Sequence, residues 1–200
     1  PVFYLPDQEI PLIDLTLLTR AGSVDVENSK WGLSSVLNEA WVTGGTARLS
    51  PPEFAMILDE SAIRMSITVE EESSTIKLSV LREDWNKALS LLEEILTRPG
   101  FDPNIVRVAK EQLITALRRQ SGDARTVSVR EGKVWHFKGH PYGRDPLDAI
   151  KTIPQIQGED LSQSLNTYFA SNNVVACIAG DIEKEDAIKS LGHLFRSLGK

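Results

Sequence analysis

Residues 29–46 read SKWGLSSVLNEAWVTGGT, and this segment is the most informative part of the chain about its fold. A step of about 100° per residue brings its apolar side chains to one side of a helix and a polar triplet to the other. Asn28 or Ser29 can cap the start of this helix, and Gly44 with Gly45 ends it. Periodicity alone therefore indicates a core helix with a solvated face. The apolar side is Leu33, Val36, Leu37, Ala40 and Trp41, and the triplet is Ser35, Asn38 and Glu39.

The phrases around the triplet carry a family resemblance. Residues 20–26 read R-A-G-S-x-D-x, and residues 32–46 read G-L-x-x-x-L-x-x-x-x-x-x-G-G-T. Both resemble the insulinase/pitrilysin metallopeptidases, which include the mitochondrial processing peptidase and the core subunits of the respiratory bc1 complex. In active members this helix carries the inverted zinc motif H-x-x-E-H. Two imidazoles hold the zinc there, and the Glu acts as general base on the bound water.

The zinc motif is degenerate in this chain. Alignment through residues 32–33 and 44–46 puts Ser35 at the first His position, Asn38 at the base position and Glu39 at the second His position. A serine hydroxyl is a poor zinc ligand, and an amide cannot take a proton from water at neutral pH. Only Glu39 keeps any capacity to bind a metal. The sequence therefore predicts no catalytic residues, no zinc site and no cofactor.

The family's third zinc ligand is a Glu on the long helix. Alignment on its I-x-R phrase, Ile105 and Arg107 here, puts that ligand at Thr115. A slip of one helical turn would place Glu111 there instead. Glu39 and Glu111 together could bind a hard cation such as Mg²⁺ or Ca²⁺, since carboxylates suit these ions better than zinc. We keep this pair as the alternative metal site.

The order of predicted elements indicates an α+β domain with a mixed, mostly antiparallel sheet and helices packed against it. Alternation at a period of two predicts a hairpin, and longer apolar stripes predict helices. Strands are expected over residues 2–5, 12–21, 63–70, 74–81 and 173–180. Helices are expected over residues 50–61, 84–97, 102–120, 124–137, 159–170 and 183–198, in addition to the helix described first.

Three later phrases resemble the same family in the same order. RPGFDPNIVRVAKEQLITALRR resembles the entry to its long helix, HPYGRDPLDAIKTI its H-P-Y-G loop, and NNVVACIAGDI the strand that ends in V-G-D. Together these phrases span residues 20–182. The resemblance implies that residues 1–200 form a single domain of this family, the amino-terminal one of a longer two-domain protein.

Composition limits the partners. The chain has a net charge of −6 with acids and bases interspersed, which argues against nucleic acid or an anionic membrane as the main partner. No apolar run is long enough to span a membrane. Because many bacterial relatives are exported, the resemblance is compatible with the periplasm or cell envelope, and the compartment stays open.

Cysteine and histidine give no further site. Cys177 lies in the apolar run VVACIAG and is expected to be buried and inert. His136 and His140 have the spacing of a metal pair, but Gly139 and Pro141 are expected to end the helix that would align them. His193 lies on the last predicted helix without a partner.

The leading functional hypothesis is a catalytically silent, non-zinc-binding subunit or domain of a heteromeric insulinase-like peptidase. The resemblance implies that such a subunit encloses peptide substrate and supports a homologous partner with an active H-x-x-E-H site, or self-associates. Its second domain would supply an Arg and a Tyr to that site. Trp31 and Trp41 are the candidate interface aromatics, with core packing as their other interpretation. Two alternatives remain, a structural scaffold similar to the bc1 core subunits and a metal-dependent peptidase with a rearranged site.

Overall fold

A five-stranded mixed sheet forms the centre of the fold. In the computed structural model, which describes residues 1–120 and 123–199, the strand order is β1-β5-β2-β4-β3. Only β1 and β5 run parallel, and the other three neighbouring pairs are antiparallel. This arrangement confirms the predicted α+β class with a mostly antiparallel sheet. The strands are β1 (Val2–Pro6), β2 (Leu12–Thr19), β3 (Arg64–Val69), β4 (Ser74–Leu81) and β5 (Val174–Gly180).

The described residues form eight α-helices. The longest, α4, is 18 residues and follows Asp102, whose side chain accepts backbone hydrogen bonds from residues 104 and 105. The helices are α1 (Leu33–Ala40), α2 (Pro51–Glu60), α3 (Trp85–Thr97), α4 (Pro103–Gln120), α5 (Ala124–His136), α6 (Ala149–Thr152), α7 (Gly158–Tyr168) and α8 (Lys184–Ser197). No described helix is long and apolar enough to cross a membrane.

One face of the sheet is covered by helices and the other is open. Strand β2 shows why, because Ile13, Leu15 and Leu17 are almost fully buried while Asp14 between them is exposed. Alternate side chains of a strand point to opposite faces, so the apolar set packs under the helices. The hydrophobic core therefore lies between a single sheet face and the helical layer.

The open face corrects the expectation for Cys177. This thiol is exposed rather than buried. It pairs with Phe3 of β1 and Thr16 of β2, so all three side chains point to the uncovered face. A continuous apolar run such as VVACIAG is typical of a strand buried on both faces, and here only the face that carries Ala176 and Ile178 is buried.

Helix α1 is shorter than the sequence predicts. It begins after Gly32, and Asn28–Lys30 form a separate 3-10 turn instead of its first turn. Gly32 has φ +94°, a left-handed conformation that interrupts the helical path. A Cβ at this position would lie 2.7 Å from the side chain of Ile153. Both the turn and the close contact with residues 149–153 therefore require glycine.

Candidate functional site

Ser35 of α1, the residue aligned with the family's first zinc-binding His, lines a small cavity. The cavity has a volume of about 240 Å³. Its walls come from α1, from α4, from the end of β3 with the link to β4, and from the loop around α6. Its lining combines apolar side chains with the serines Ser34 and Ser35 and the glutamates Glu70 and Glu71. The lining residues include Trp31, Ser34, Val69, Leu113, Leu117 and Ile153.

Asn38, at the position of the general base, has a structural hydrogen bond. Its Oδ1 accepts the backbone N–H of Val69 at 2.9 Å. Val69 is the last residue of β3, the strand at the edge of the sheet. The amide thus connects α1 to the sheet edge by satisfying an N–H that has no partner strand. This role uses the acceptor oxygen and provides no base.

Glu39, at the second His position, lies on the exposed surface of α1. Its backbone carbonyl accepts the Thr43 hydroxyl at 2.7 Å, a local contact that stabilises the end of the helix. Glu39 is absent from the lining of the cavity beside Ser35. Ser35 and Glu39 are one turn apart. Glu70 and Glu71 line the cavity beside Ser35, and Glu71 forms an ion pair with Lys133 at 2.9 Å.

Thr115 and Glu111 lie on the opposite side of α4 from α1. The half-buried Leu113 and Leu117 line the cavity beside Ser35, and at about 100° per residue Thr115 points away from both. The Thr115 hydroxyl donates to the Glu111 carbonyl at 2.8 Å. The Glu111 carboxylate accepts from Arg107 at 2.9 Å on an exposed surface. The spacing of the family motif therefore points to Thr115 and Glu111, whose side chains lie on the side of α4 that faces away from α1.

The remaining candidate ligands are also dispersed. Within residues 1–120 and 123–199, no group of three His, Cys, Asp or Glu side chains is placed to hold a metal ion. Helix α5 ends at His136, so His140 follows in a turn where its Nδ1 accepts the Tyr142 N–H at 3.2 Å. His193 lies 3.3 Å from the carboxylate of Glu93 on the neighbouring α3.

The two candidate interface tryptophans have different surroundings. Trp41 has no exposed surface, and its Nε1 donates to the Ile95 carbonyl at 3.3 Å. This side chain therefore belongs to the core and offers no surface to a partner. Trp31 is half-buried beside the cavity and stays available for contact.

Trp31 is held by the loop that follows α5, a contact that the sequence did not reveal. Its Nε1 donates to the Asp145 carbonyl at 3.0 Å, and the Arg144 guanidinium lies 5.1 Å from the ring centroid. Arg144 also donates to the Ser23 and Val26 carbonyls. The HPYGRDP phrase identifies this loop, but the pairing with Trp31 spans 114 residues and has no local signal.

The relatives of this chain include a protein named as a non-peptidase, in agreement with the absence of the zinc motif from α1. No protein-family model matches the chain. The non-peptidase homolog YmxG of Helicobacter pylori is 27% identical over 202 residues, which is 99% of this chain and 46% of that protein. A probable mitochondrial-processing peptidase subunit beta of Arabidopsis thaliana is 21% identical over 80% of this chain and 30% of its own length.

Solved structures share the fold. A peptidase M16 inactive domain from Pseudomonas fluorescens aligns with a TM-score of 0.90 and 22% identity, over all of this chain and 48% of that one. The periplasmic protease PqqL of Escherichia coli aligns with a TM-score of 0.82 and 15% identity, over 98% of this chain and 21% of that one. The chain thus spans less than half the length of these relatives. The resemblance to inactive insulinase-like proteins is confirmed.

Proposed function

We propose that this chain, an insulinase/pitrilysin-like domain without the zinc motif, is the catalytically silent partner of a zinc-bearing homologue. In this role it forms part of the wall around a peptide substrate and supports the active subunit. The relatives in the comparison include a subunit of the mitochondrial processing peptidase and a non-peptidase homologue. The non-peptidase homologue supports a role without a metal site in this domain, and the peptidase subunit supports a role within an assembly of more than one chain.

The hydrogen bond of Asn38 carries the proposal. An active domain needs a carboxylate base and two imidazoles on this helix. Here the base position holds Asn38, whose Oδ1 accepts the Val69 N–H at the edge of the sheet at 2.9 Å. The two ligand positions hold Ser35 and Glu39. The fold nevertheless matches an inactive peptidase domain closely. Loss of the chemistry with retention of the fold is typical of a subunit selected for contact and shape.

Strand β3 is the element suited to contact a peptide. It pairs with β4 on one side, and among the described residues no strand lies on the other. In an antiparallel pair alternate residues direct their N–H groups away from the neighbour. The N–H of Val69 points away from β4, since it donates to Asn38. The residues two and four positions before it, Ile67 and Met65, therefore also direct their backbone N–H and C=O groups to the open edge. An extended peptide can add to such an edge as a further strand.

We also propose that the chain is one of two similar domains of its protein, the amino-terminal one. Its coverage of 46% and 48% of two relatives is what one of two comparable domains would give. The second domain would then supply the Arg and Tyr that act in the active partner's site.

The scaffold alternative predicts assembly without any effect on proteolysis. The alternative of a rearranged metal site has less support. Glu39 and Glu111 line no common cavity, and Glu111 forms an ion pair with Arg107 at 2.9 Å. A carboxylate pair of this kind would need both side chains to leave their present surroundings. Activity measurements separate all three hypotheses.

The experiment combines the protein with the zinc-bearing homologue encoded by the same organism. We expect peptide hydrolysis by the pair to exceed that of either protein alone, and Glu39→Gln to leave this activity unchanged. Met65→Pro removes an outward N–H from β3 without removing a bond to β4, so it should raise KM for the pair. Arg64→Ala, next to it on the exposed face, is the matched control and should leave KM unchanged.

Two results would overturn the proposal. Chelator-sensitive hydrolysis by this protein alone, abolished by Glu39→Gln, would establish the rearranged metal site. A stable complex whose activity equals that of the zinc-bearing homologue alone would establish the scaffold.

A further inference from the structure

Helix α5 is the most exposed helix of the structure. None of its 13 residues is buried. Its inner stripe, Val127, Arg130 and Val134, is half-buried. On the outward side Val129 keeps 67% and Trp135 keeps 80% of its surface exposed. Tryptophan is enriched at protein contacts because its ring buries a large apolar area.

Polar contacts hold α5 in place and leave its outward side uncovered. Lys133 donates to Glu71 at 2.9 Å, which connects the helix to the link between β3 and β4. Tyr142, in the loop after α5, donates to Glu72 of the same link. The side of α5 that carries Val129 and Trp135 makes no such contact among the described residues, so it is available to another molecule.

The segment around α5 is basic in an acidic chain. Residues 118–140 contain six Lys or Arg and two Asp or Glu, a net charge of +4, of which Lys133 pairs with Glu71 and Arg130 with Glu131 and Asp145. The whole chain carries −6, so the remaining 177 residues carry −10. Arg125 and Lys138 are exposed members of the basic set. We call the surface formed by Arg125, Val129, Trp135 and Lys138 the α5 face.

The far side of the sheet has the complementary character. Leu5 and Ile10, on and after the edge strand β1, are 64% and 63% exposed. Gln8 donates to the carboxylate of Glu183 at 3.4 Å, which places the start of α8 beside this edge. Desolvation raises the pKa of the Tyr4 hydroxyl, and the nearby carboxylates of Glu183 and Glu185 raise it further. We call this surface, with Leu5, Ile10, Glu183 and Glu185, the β1 edge. Lys184, between the two glutamates, is exposed as well, so residues 183–185 carry a net charge of −1.

We propose that the α5 face docks onto the β1 edge of a second copy of this chain. Each surface combines exposed apolar side chains with charge, and the two charges are opposite. Burial of Trp135 and Val129 against Leu5 and Ile10 supplies the apolar part of the contact. The basic and acidic side chains at its rim set orientation and association rate.

A lipid surface suits the α5 face less well. Membrane-surface helices carry a broad apolar side opposite their basic side. On α5 only Val129 and Trp135 provide large exposed apolar area, with Ser128 and Gly132 between them. The apolar area is therefore that of a protein contact. Binding to anionic vesicles is the competing outcome of the test.

The test is a charge exchange between the two surfaces, read by sedimentation velocity and light scattering of the purified protein. One variant carries Arg125→Glu with Lys138→Glu, and the other carries Glu183→Lys with Glu185→Lys. Each variant alone brings like charges together, so we expect its dissociation constant for self-association to rise about tenfold or more. An equimolar mixture restores opposite charges and should associate like the unmodified protein.

Controls keep the result independent of folding. Arg64→Glu reverses an exposed charge on the open sheet face and should leave association unchanged. Trp135→Ser should weaken association while the melting temperature stays the same, because the side chain is exposed. Rescue in the mixture shows that both charge variants are folded.

Three results would overturn the proposal. The unmodified protein could remain a monomer at all concentrations tested. The two charge variants could fail to associate when mixed although both are folded. The protein could also remain a monomer and bind anionic vesicles in a manner that requires Trp135, which would assign the α5 face to a lipid surface.

Discussion

Replacement of Asn38 by alanine tests whether this position has become structural. The change removes the acceptor of the Val69 N–H, and Val69 is only 8% exposed. A buried N–H without a partner costs about 1–3 kcal/mol. Alanine is the better helix former by about 0.6 kcal/mol, which offsets part of that loss. We therefore expect the free energy of unfolding to fall by about 0.4–2.4 kcal/mol, the difference between these two terms.

The assay is urea denaturation followed by circular dichroism, with thermal melting as a second measure. A loss of this size lowers the melting temperature of a chain this long by about 1–10 °C. Asn38→Asp keeps an acceptor oxygen in the same place and should cost less than Asn38→Ala. Glu39→Ala, at the next and exposed position, is the matched control and should stay within about 0.5 kcal/mol.

Two outcomes would refute the reasoning about Asn38. No loss, or a gain in stability, for Asn38→Ala would mean that water replaces the amide. A loss for Asn38→Asp equal to that for Asn38→Ala would mean that the hydrogen bond to Val69 is not the stabilising contact.

Other predictions concern stability, acid sensitivity and thiol exposure. Gly180→Ala should unfold the protein or lower its melting temperature severely, because Gly180 has φ +119° and a Cβ would lie 2.0 Å from the Leu12 carbonyl oxygen. By contrast, a Cβ at Gly132 on α5 meets no atom within 4 Å, so Gly132→Ala should raise the free energy of unfolding by up to about 1 kcal/mol. The hydrogen bond from the Ser50 side chain holds the pKa of Glu53 below its ordinary value of 4.5. The ionised Glu53 carboxylate therefore contributes its full stabilisation above pH 4.5, and this stabilisation is lost as the pH falls below that value. A Glu53→Gln variant should accordingly show a shallower decline of melting temperature between about pH 5 and pH 3. Cys177 should react with a thiol reagent in the native protein as fast as in urea, measured by mass spectrometry, whereas protection in the native state would mean that the open sheet face is covered.

Local patterns predicted the sheet better than they predicted its surroundings. The hairpin was expected over residues 63–70 and 74–81 and is found at Arg64–Val69 and Ser74–Leu81, because alternation at a period of two depends only on neighbouring residues. The exposure of Cys177 depends on whether another layer covers the second face. That is a tertiary property, and an apolar run of seven residues carries no information about it.

The third-ligand position shows the limit of motif spacing. Spacing placed it at Thr115, but a ligand must also point toward α1. The phase of α4 follows from its buried residues, Val106 and Ala109, together with Leu113 and Leu117 beside the cavity. Reading the phase of this apolar stripe along with the motif would have shown that Thr115 faces away.

Sequence patterns could not predict where α1 begins or which side of α5 is exposed, and the reason differs in the two cases. Gly32 ends the preceding turn because residues 149–153 pack against its backbone, a contact between distant parts of the chain. Helix α5 has apolar residues on both its inner and outer sides, so its amphipathic pattern does not show which side the domain leaves open.

The central claim is that this domain holds no zinc, and the direct measurement is the zinc content of the purified protein. The protein is dialysed against buffer with trace zinc, and the metal is then quantified by mass spectrometry beside a zinc-bearing homologue treated in the same way. We expect far less than one zinc per chain for this protein and about one for the homologue. A value near one zinc per chain that survives dialysis would contradict the account and would direct attention to Glu39, Glu111 and the histidines.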